Sequence, residues 1–324
     1  MYRQVTPFGM LAAGLVIASM VLPATTVQAA TRPKPILLGI ISQSDASRQA
    51  TERAIGKRSA LIVKFTDWNA GFPSARYLHN SITKHGAVPV ITTGPNGYAP
   101  LARVIRGEDD AKIVAWAQAT RDFGNPILFR LMAEMNGNWE PWSTGVNGNQ
   151  PGEYVQAWRH IVDIFRAQGA TNVRWVFNPN RSYRSATRMS TVWPGASYVD
   201  WIGLDIYNFN TPAKGGWHTF DAMMKPSIRE LRSVAGQQKP LMINEVGCGS
   251  GAGKPVWLKT MFSRLPAYRV KAVMYFDYLR KADWRLTAAP ANLAATRYAV
   301  RRSGITGAGQ LSRAAIEKIV LTGH

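Results

Sequence analysis

The chain has 324 residues, 46% of them apolar and 18% charged, which is ordinary globular composition and excludes a disordered or fibrous chain. Lys and Arg number 39 against 19 Asp plus Glu, a net charge of +20 that either attracts polyanions or serves solubility alone. The basic residues are dispersed with no long run, so no nucleic-acid partner is expected, and the single cysteine, Cys248, excludes an internal disulfide.

The N-terminus reads as a cleavable signal peptide over residues 1–29. Arg3 supplies a short basic segment, residues 10–22 are apolar, and Pro23 ends the run before a small-residue cleavage site at Val27-Gln28-Ala29. The apolar run is shorter than the roughly 20 residues a membrane helix needs. The mature chain is expected to begin near Ala30, to be secreted or periplasmic, and to have no stable membrane insertion. Cleavage removes one positive charge, Arg3, and leaves +19.

After Pro35, short apolar runs alternate with amphipathic stretches. Strands are expected at 36–41, 61–65, 88–92, 127–133, 173–178, 201–207, 241–245 and 272–277. They are continuous apolar runs rather than alternations, as parallel strands buried on both faces should be. Helical patterns lie at 45–55, 75–84, 109–123, 152–168, 220–234, 255–264 and 291–301, and the fifth unit's helix, after Asn178, is the least clear. Eight strands with crossovers favour a single (β/α)8 TIM barrel over residues 30–302, with an open doubly wound sheet as the alternative. Residues 303–324 form a tail that holds one short helix, 311–320, and either docks or frays. A monomer is expected.

In such a barrel, chemistry sits where strands end at their C-terminal side. Strand four runs into Glu134 and strand seven into Glu245. Either alone is as readily an ion-paired strand-end residue. Together they form the apparatus of glycosidic cleavage, in which one carboxyl protonates the leaving oxygen and the other attacks C1 or activates water. Trp139 and Trp142 follow Glu134 in a loop with little core to fill, which suits stacking on sugar rings.

The segment from Arg130 through Leu131-Met132-Ala133-Glu134-Met135-Asn136-Gly137-Asn138-Trp139 to Trp142 resembles the acid/base signature of glycoside hydrolase family 26, the β-mannanases and their relatives. Asn244-Glu245-Val246-Gly247 is similar to the family's nucleophile motif. Val199 to Asn208 resembles its strand-six motif, Val176 to Asn180 the end of strand five, and Asp283-Trp284-Arg285-Leu286 the segment after strand eight. The likeness covers roughly residues 36–301.

That resemblance implies a retaining double displacement without metal or cofactor, with Glu134 as acid/base and Glu245 as nucleophile. It implies that Tyr207 orients the nucleophile and that Trp284 is a platform under the sugar at the cleavage point. The family carries His before its acid/base, whereas this chain has Ala133, so Asn178 or Arg130 must take over that role or the site accepts a different sugar. Trp139, Trp142, Asn136 and Arg181 complete the expected substrate-binding set, and the three tryptophans are expected to be partly accessible.

Other motifs fail. Gly247-Cys248-Gly249-Ser250-Gly251-Ala252 fits a dinucleotide loop but lacks an acidic residue about 20 positions on. The five histidines show no metal-ligand spacing. Arg181, Arg184 and Arg188 follow strand five and are either a solvated loop or a contact for carboxylates, sulfates or phosphates. The resulting expectation is an endo-acting β-glycanase. Mannan is the family's default substrate, and mixed-linkage glucan, xylan or an acidic exopolysaccharide are alternatives. A carbohydrate-binding protein on a decayed barrel and a barrel enzyme for phosphorylated substrates are the competing classes.

Overall fold

The computed structural model describes residues 1–4, 34–95 and 99–324; apart from its first four residues, the signal peptide expected at 1–29 lies outside them. The chain divides into Met1–Arg32 and Pro33–His324, and all helices and strands described belong to the second unit.

Eight parallel strands close into a barrel. They are β1 (Ile36–Ile41), β2 (Leu61–Phe65), β3 (Val88–Thr93), β4 (Ile127–Leu131), β5 (Val173–Phe177), β6 (Trp201–Asn208), β7 (Leu241–Cys248) and β8 (Val270–Phe276). Each pairs with the next, and β1 pairs with both β8 and β2. The helices α1 (Asp45–Ile55), α2 (Ala75–Ser81), α3 (Ala102–Ile105), α4 (Asp110–Phe123), α5 (Glu153–Ala167), α6 (Phe220–Ala235), α7 (Lys254–Arg264) and α8 (Pro290–Val300) fill the crossovers. The fold is a single (β/α)8 barrel.

Strand side chains alternate between two cores. Leu38, Ile40, Ile62, Ile91 and Phe129 face outward under the helices, where α5 contributes Tyr154, Trp158, Ile161 and Phe165 from one face. Leu37, Leu61, Val90, Leu128, Met242 and Met274 fill the barrel interior. That dual burial is why the strands are apolar throughout.

Residues 303–324 are not left outside this packing. A short strand β9 (Ile305–Thr306) adds to β1, and α9 (Arg313–Thr322), capped by the Ser312 hydroxyl, packs Ile316, Ile319 and Val320 into the interior core. Trp201 at the start of β6 donates its indole N–H to the Val320 carbonyl at 2.8 Å. The helix therefore covers the end of the barrel where strands begin and leaves the opposite end open.

Two departures from the expected elements bear on function. The strand expected at 127–133 stops at Leu131, because Met132 and Glu134 take left-handed backbones (φ 43° and 56°) that cannot continue a ladder. Between β5 and β6 there is no α-helix. Pro179, Pro194 and Gly195 interrupt the segment, which forms short 3-10 turns at Met189–Thr191 and Ala196–Tyr198. The long loop over residues 178–188 is thereby free to reach the open end.

Candidate active site

Glu134 stands just past β4 in a strained backbone pose, its N–H bonded to the Asn178 carbonyl at 2.8 Å. A non-glycine residue with positive φ costs roughly 1 kcal/mol or more and persists where its surroundings enforce it. Its two carboxylate oxygens have separate partners. Asn180 Nδ2 donates to Oε1 at 2.6 Å, and Trp139 Nε1 donates to Oε2 at 2.7 Å. Asn180 is itself clamped, since Asn136 Oδ1 accepts its backbone N–H at 2.7 Å and Asn136 Nδ2 donates to its carbonyl at 2.9 Å.

Glu245 does not end strand seven as expected but lies within β7, which continues to Cys248, at an irregularity in its register with β8, and pairs with Asp205 of β6. Such a bulge re-aims side chains. Arg130 Nη1 donates to Glu245 Oε1 at 2.8 Å, and the Tyr207 hydroxyl donates to Oε2 at 2.5 Å. The other arm of Arg130 forms a short ion pair with Asp205, which is fully buried. One guanidinium thus braces two carboxylates from adjacent strands.

Burial pushes the Glu245 carboxyl upward, and the Glu134 charge adds to that, against the pull of Arg130 and Tyr207. Burial likewise raises Asp205, with Arg130 opposing. Burial works against the Arg130 charge, but Asp205, Glu245 and Glu134 outweigh it and hold the guanidinium ionised above its usual range. Three carboxyls surrounding one cation carry surplus negative charge, so the cluster favours holding a proton.

These groups line an open cavity of about 890 Å³ at the strand C-termini. Glu134, Glu245, Arg130, Tyr207, Trp139, Trp142, Trp284 and Arg181 all border it. Asn178 and Asn136 do not. Asn178 is buried in the barrel against Asn244, a pair so close to β6 that a Cβ at Gly203 would collide with both. Asn136 acts only through Asn180.

The accessibility expected of the three tryptophans holds for one. Trp139 is 46% exposed and stacks on Tyr183 with ring centroids 6.2 Å apart. Trp142 and Trp284 are 8% and 2% exposed. The Trp142 indole N–H is tied to the Ala133 carbonyl at 2.7 Å, and its ring packs over Gly94. Trp284 is wedged 5.0 Å from both Tyr207 and Phe209. Both are cavity walls rather than free platforms. Arg184 and Arg188 likewise leave the main cavity and border a second hollow with Glu230 and Tyr183.

Three residues were not anticipated. Asn180, with Trp139, holds the Glu134 carboxylate, rather than Asn178 or Arg130; it ends the segment Val176 to Asn180. Asp205 was visible as an acid inside an apolar strand. Glu140 borders the cavity between Trp139 and Trp142. Burial and the nearby Glu134 push the Glu140 carboxyl up to about 7, against Arg130 and Lys281.

This position makes a test. A carboxyl raised on folding binds more protons folded than unfolded, so its contribution to stability is fully present below the unfolded pKa and is lost as pH rises toward about 7. Glu140→Gln is therefore expected to gain on the parent chain by a few degrees in Tm, roughly 2–4 °C, between pH 4.5 and 8. A difference in Tm independent of pH would show Glu140 to be solvated and unperturbed.

Cys248 is buried, with its thiol pushed up to about 12 by burial, and is inert packing. Among the described residues no cluster of His, Cys, Asp and Glu could hold a metal ion, and no helix is long and apolar enough to cross a membrane.

Comparison with known proteins places this geometry. The model of Glycosyl hydrolase family 26 matches residues 87–258, which include both glutamates. Endoglucanase H of Acetivibrio thermocellus is 33% identical over 267 residues, 79% of this chain and 29% of that protein. A mannan endo-1,4-beta-mannosidase of Bacillus subtilis is 32% identical over 123 residues, 36% of this chain and 33% of that protein. The chain thus aligns with about a third of the length of these curated relatives. The structure of a modular endo-beta-1,4-mannanase from Cellulomonas fimi superimposes with a TM-score of 0.64 at 19% identity, covering 87% of this chain and 74% of that one. At that identity the likeness shows the fold.

Proposed function

The chain belongs to glycosyl hydrolase family 26, and from that premise we propose that it is an endo-acting β-glycanase working by retaining double displacement. The observation that carries this reading is the contrast between the two glutamates. Glu245 has one oxygen on Arg130 and the other on Tyr207, whereas Glu134 is held by neutral donors, Asn180 and Trp139, at the exposed side of the same cavity.

Arg130 and Tyr207 oppose the upward push of burial on Glu245 and so favour the carboxylate that a nucleophile requires. Its carboxylate oxygen attacks C1 while Glu134 gives its proton to the departing glycosidic oxygen, so the C1–O bond breaks as the ester to Glu245 forms. Glu134, now anionic, takes a proton from water. The water oxygen attacks C1, the ester bond breaks, and Glu245 leaves as carboxylate. Proton and nucleophile both come from the chain, and the product keeps the substrate's configuration. An open cavity with an exposed Trp139–Tyr183 stack at one side suits internal segments of a polymer. One relative is named an endoglucanase and another a mannan endo-1,4-beta-mannosidase, which supports a β-linked gluco- or mannopolysaccharide as backbone. The apolar run at 10–22 before Val27-Gln28-Ala29 supports export, with the catalytic chain starting near Ala30.

The test is incubation with β-mannan, mixed-linkage β-glucan and β-xylan. Viscosity falling faster than reducing ends accumulate is expected, with the β-anomer appearing first by proton NMR. An α-anomer first would overturn retention. Binding without turnover of any polymer would leave a carbohydrate-binding barrel.

A further inference from the structure

The cavity wall carries positive charge that the fold does not neutralise. Arg181 and Lys214 border it, as do Arg280 and Lys281. Among the described residues, none of these four has a carboxylate within 4.0 Å, although ion pairs are formed elsewhere, including Arg130 in the same cavity. Arg181 is the telling case. It is half-buried, and burial lowers its pKa, with Tyr183 only partly offsetting this. Arg130, buried more deeply, is pulled the other way by its carboxylates. A half-desolvated guanidinium without an acid is costly, and the fold tolerates it at the mouth of a substrate cleft.

Position sharpens the point. Arg181 adjoins Tyr183, which stacks on Trp139, whose indole holds Glu134. On the other side of the carboxylate pair, Lys214 lies over the Phe209 ring at 5.7 Å, and Phe209 packs on Trp284. An aromatic surface with an unpaired cation therefore flanks the reacting centre on both sides. Beyond Tyr183, which borders both hollows, Arg184 and Arg188 continue the same loop and are exposed, again without a carboxylate within ion-pair distance. Glu230 in that hollow is occupied by the Ser182 hydroxyl and the Met189 N–H.

We propose that the polysaccharide cleaved is acidic, bearing carboxylate or sulfate groups, with Arg181 and Lys214 binding anions on units either side of the scissile bond and Arg184 and Arg188 guiding the chain beyond Tyr183. The guanidinium fork matches carboxylate and sulfate geometry. The inference rests on the glycanase reading above. The carboxylates of the cavity do not contradict it. Four acids border the cavity, Asp67, Glu134, Glu140 and Glu245; Glu245 shares Arg130 with Asp205, and none of the four lies within ion-pair distance of Arg181, Lys214, Arg280 or Lys281.

The experiment compares β-mannan and mixed-linkage β-glucan with their C6-oxidised and sulfated derivatives. The full chain and the Arg181→Met, Lys214→Met and Arg184→Met/Arg188→Met variants are assayed. Salt is set at about 0.01 M and about 1 M, where the Debye length falls from about 30 Å to about 3 Å. The expected result is kcat/KM about tenfold higher for an anionic derivative than for its parent at low salt. High salt and Arg181→Met should each erase most of that preference, read as the ratio of kcat/KM for the anionic derivative to that for its parent. Arg184→Met/Arg188→Met should raise KM for anionic polymers but not for short anionic oligosaccharides. Preference for the oxidised form identifies carboxylates as the recognised groups, and for the sulfated form sulfates. If the parents are cut and neither derivative is favoured, the proposal fails and the glycanase reading stands. If no polymer is cut, both fail.

Discussion

Glu245→Ala is expected to lower kcat/KM on the order of 10⁵-fold, and sodium azide to restore turnover as a glycosyl azide of inverted configuration. Loss of a covalent nucleophile is among the costliest single changes an enzyme can suffer. The alanine leaves room beside Arg130 and Tyr207, which held the carboxylate at 2.8 and 2.5 Å, and a small anion can enter there to attack C1 directly. Glu134→Ala is expected to behave differently. It should lose roughly 10²–10⁴-fold on polysaccharide but little on aryl glycosides whose leaving group needs no proton. Azide should then give a product of retained configuration, because Glu245 still forms the ester. Interchanged azide stereochemistry would reverse the two roles. Azide products from neither variant, with both retaining activity, would move the chemistry to other residues.

Much of this site was legible because the barrel imposes a rule. Side chains near strand C-termini face the open end, so reading where apolar runs stop pointed to Glu134, just past β4, and to Glu245, although β7 continues three residues beyond it. What the rule did not supply was geometry within the loops. Asn178 and Asn180 are two positions apart at one strand end, and their side chains go to different partners, Asn178 to Asn244 in the barrel and Asn180 to Glu134. Trp142 read as exposed because its loop has little core to fill, and Trp284 because the family resemblance implied a sugar platform there. Their burial comes from Gly94, Tyr207 and Phe209, brought in from distant segments. Strand four seemed two residues longer than it is, since its composition stays apolar through Ala133, and composition does not report the left-handed turns at Met132 and Glu134. The three arginines after strand five divide between two hollows because Tyr183 stands between them. The fifth unit's helix was only the least clear in the sequence; its absence follows from Pro179, Pro194 and Gly195, which break the segment into short 3-10 turns.

Arg130→Met is expected to damage stability and activity together, and the pH dependence distinguishes its role from simple packing. The side chain is 3% exposed and bridges Asp205 and Glu245, both deeply placed in the barrel. Removing one partner of a buried ion pair costs about 3–5 kcal/mol, because the remaining charges lose compensation without regaining water. For a domain of this size that corresponds to a fall in Tm on the order of 10 °C near neutral pH. The two carboxyls can escape the penalty by staying protonated. Their folded pKa values, already raised by burial, would rise further. Groups raised on folding contribute stability that is present below the unfolded carboxyl pKa and disappears as pH rises toward the folded value. The Tm deficit of Arg130→Met should therefore be small near pH 4 and widen steadily toward pH 8. Adding Asp205→Asn should recover part of the deficit at pH 8, since one of the stranded charges is then gone, but should not recover activity. Glu245 would still lack the cation that keeps it ionised, so the acid limb of kcat/KM should remain displaced to higher pH in both variants. A deficit of equal size at pH 4 and pH 8 would reduce Arg130 to a space-filling residue. An unshifted acid limb would show that Tyr207 alone suffices to hold Glu245 as the carboxylate.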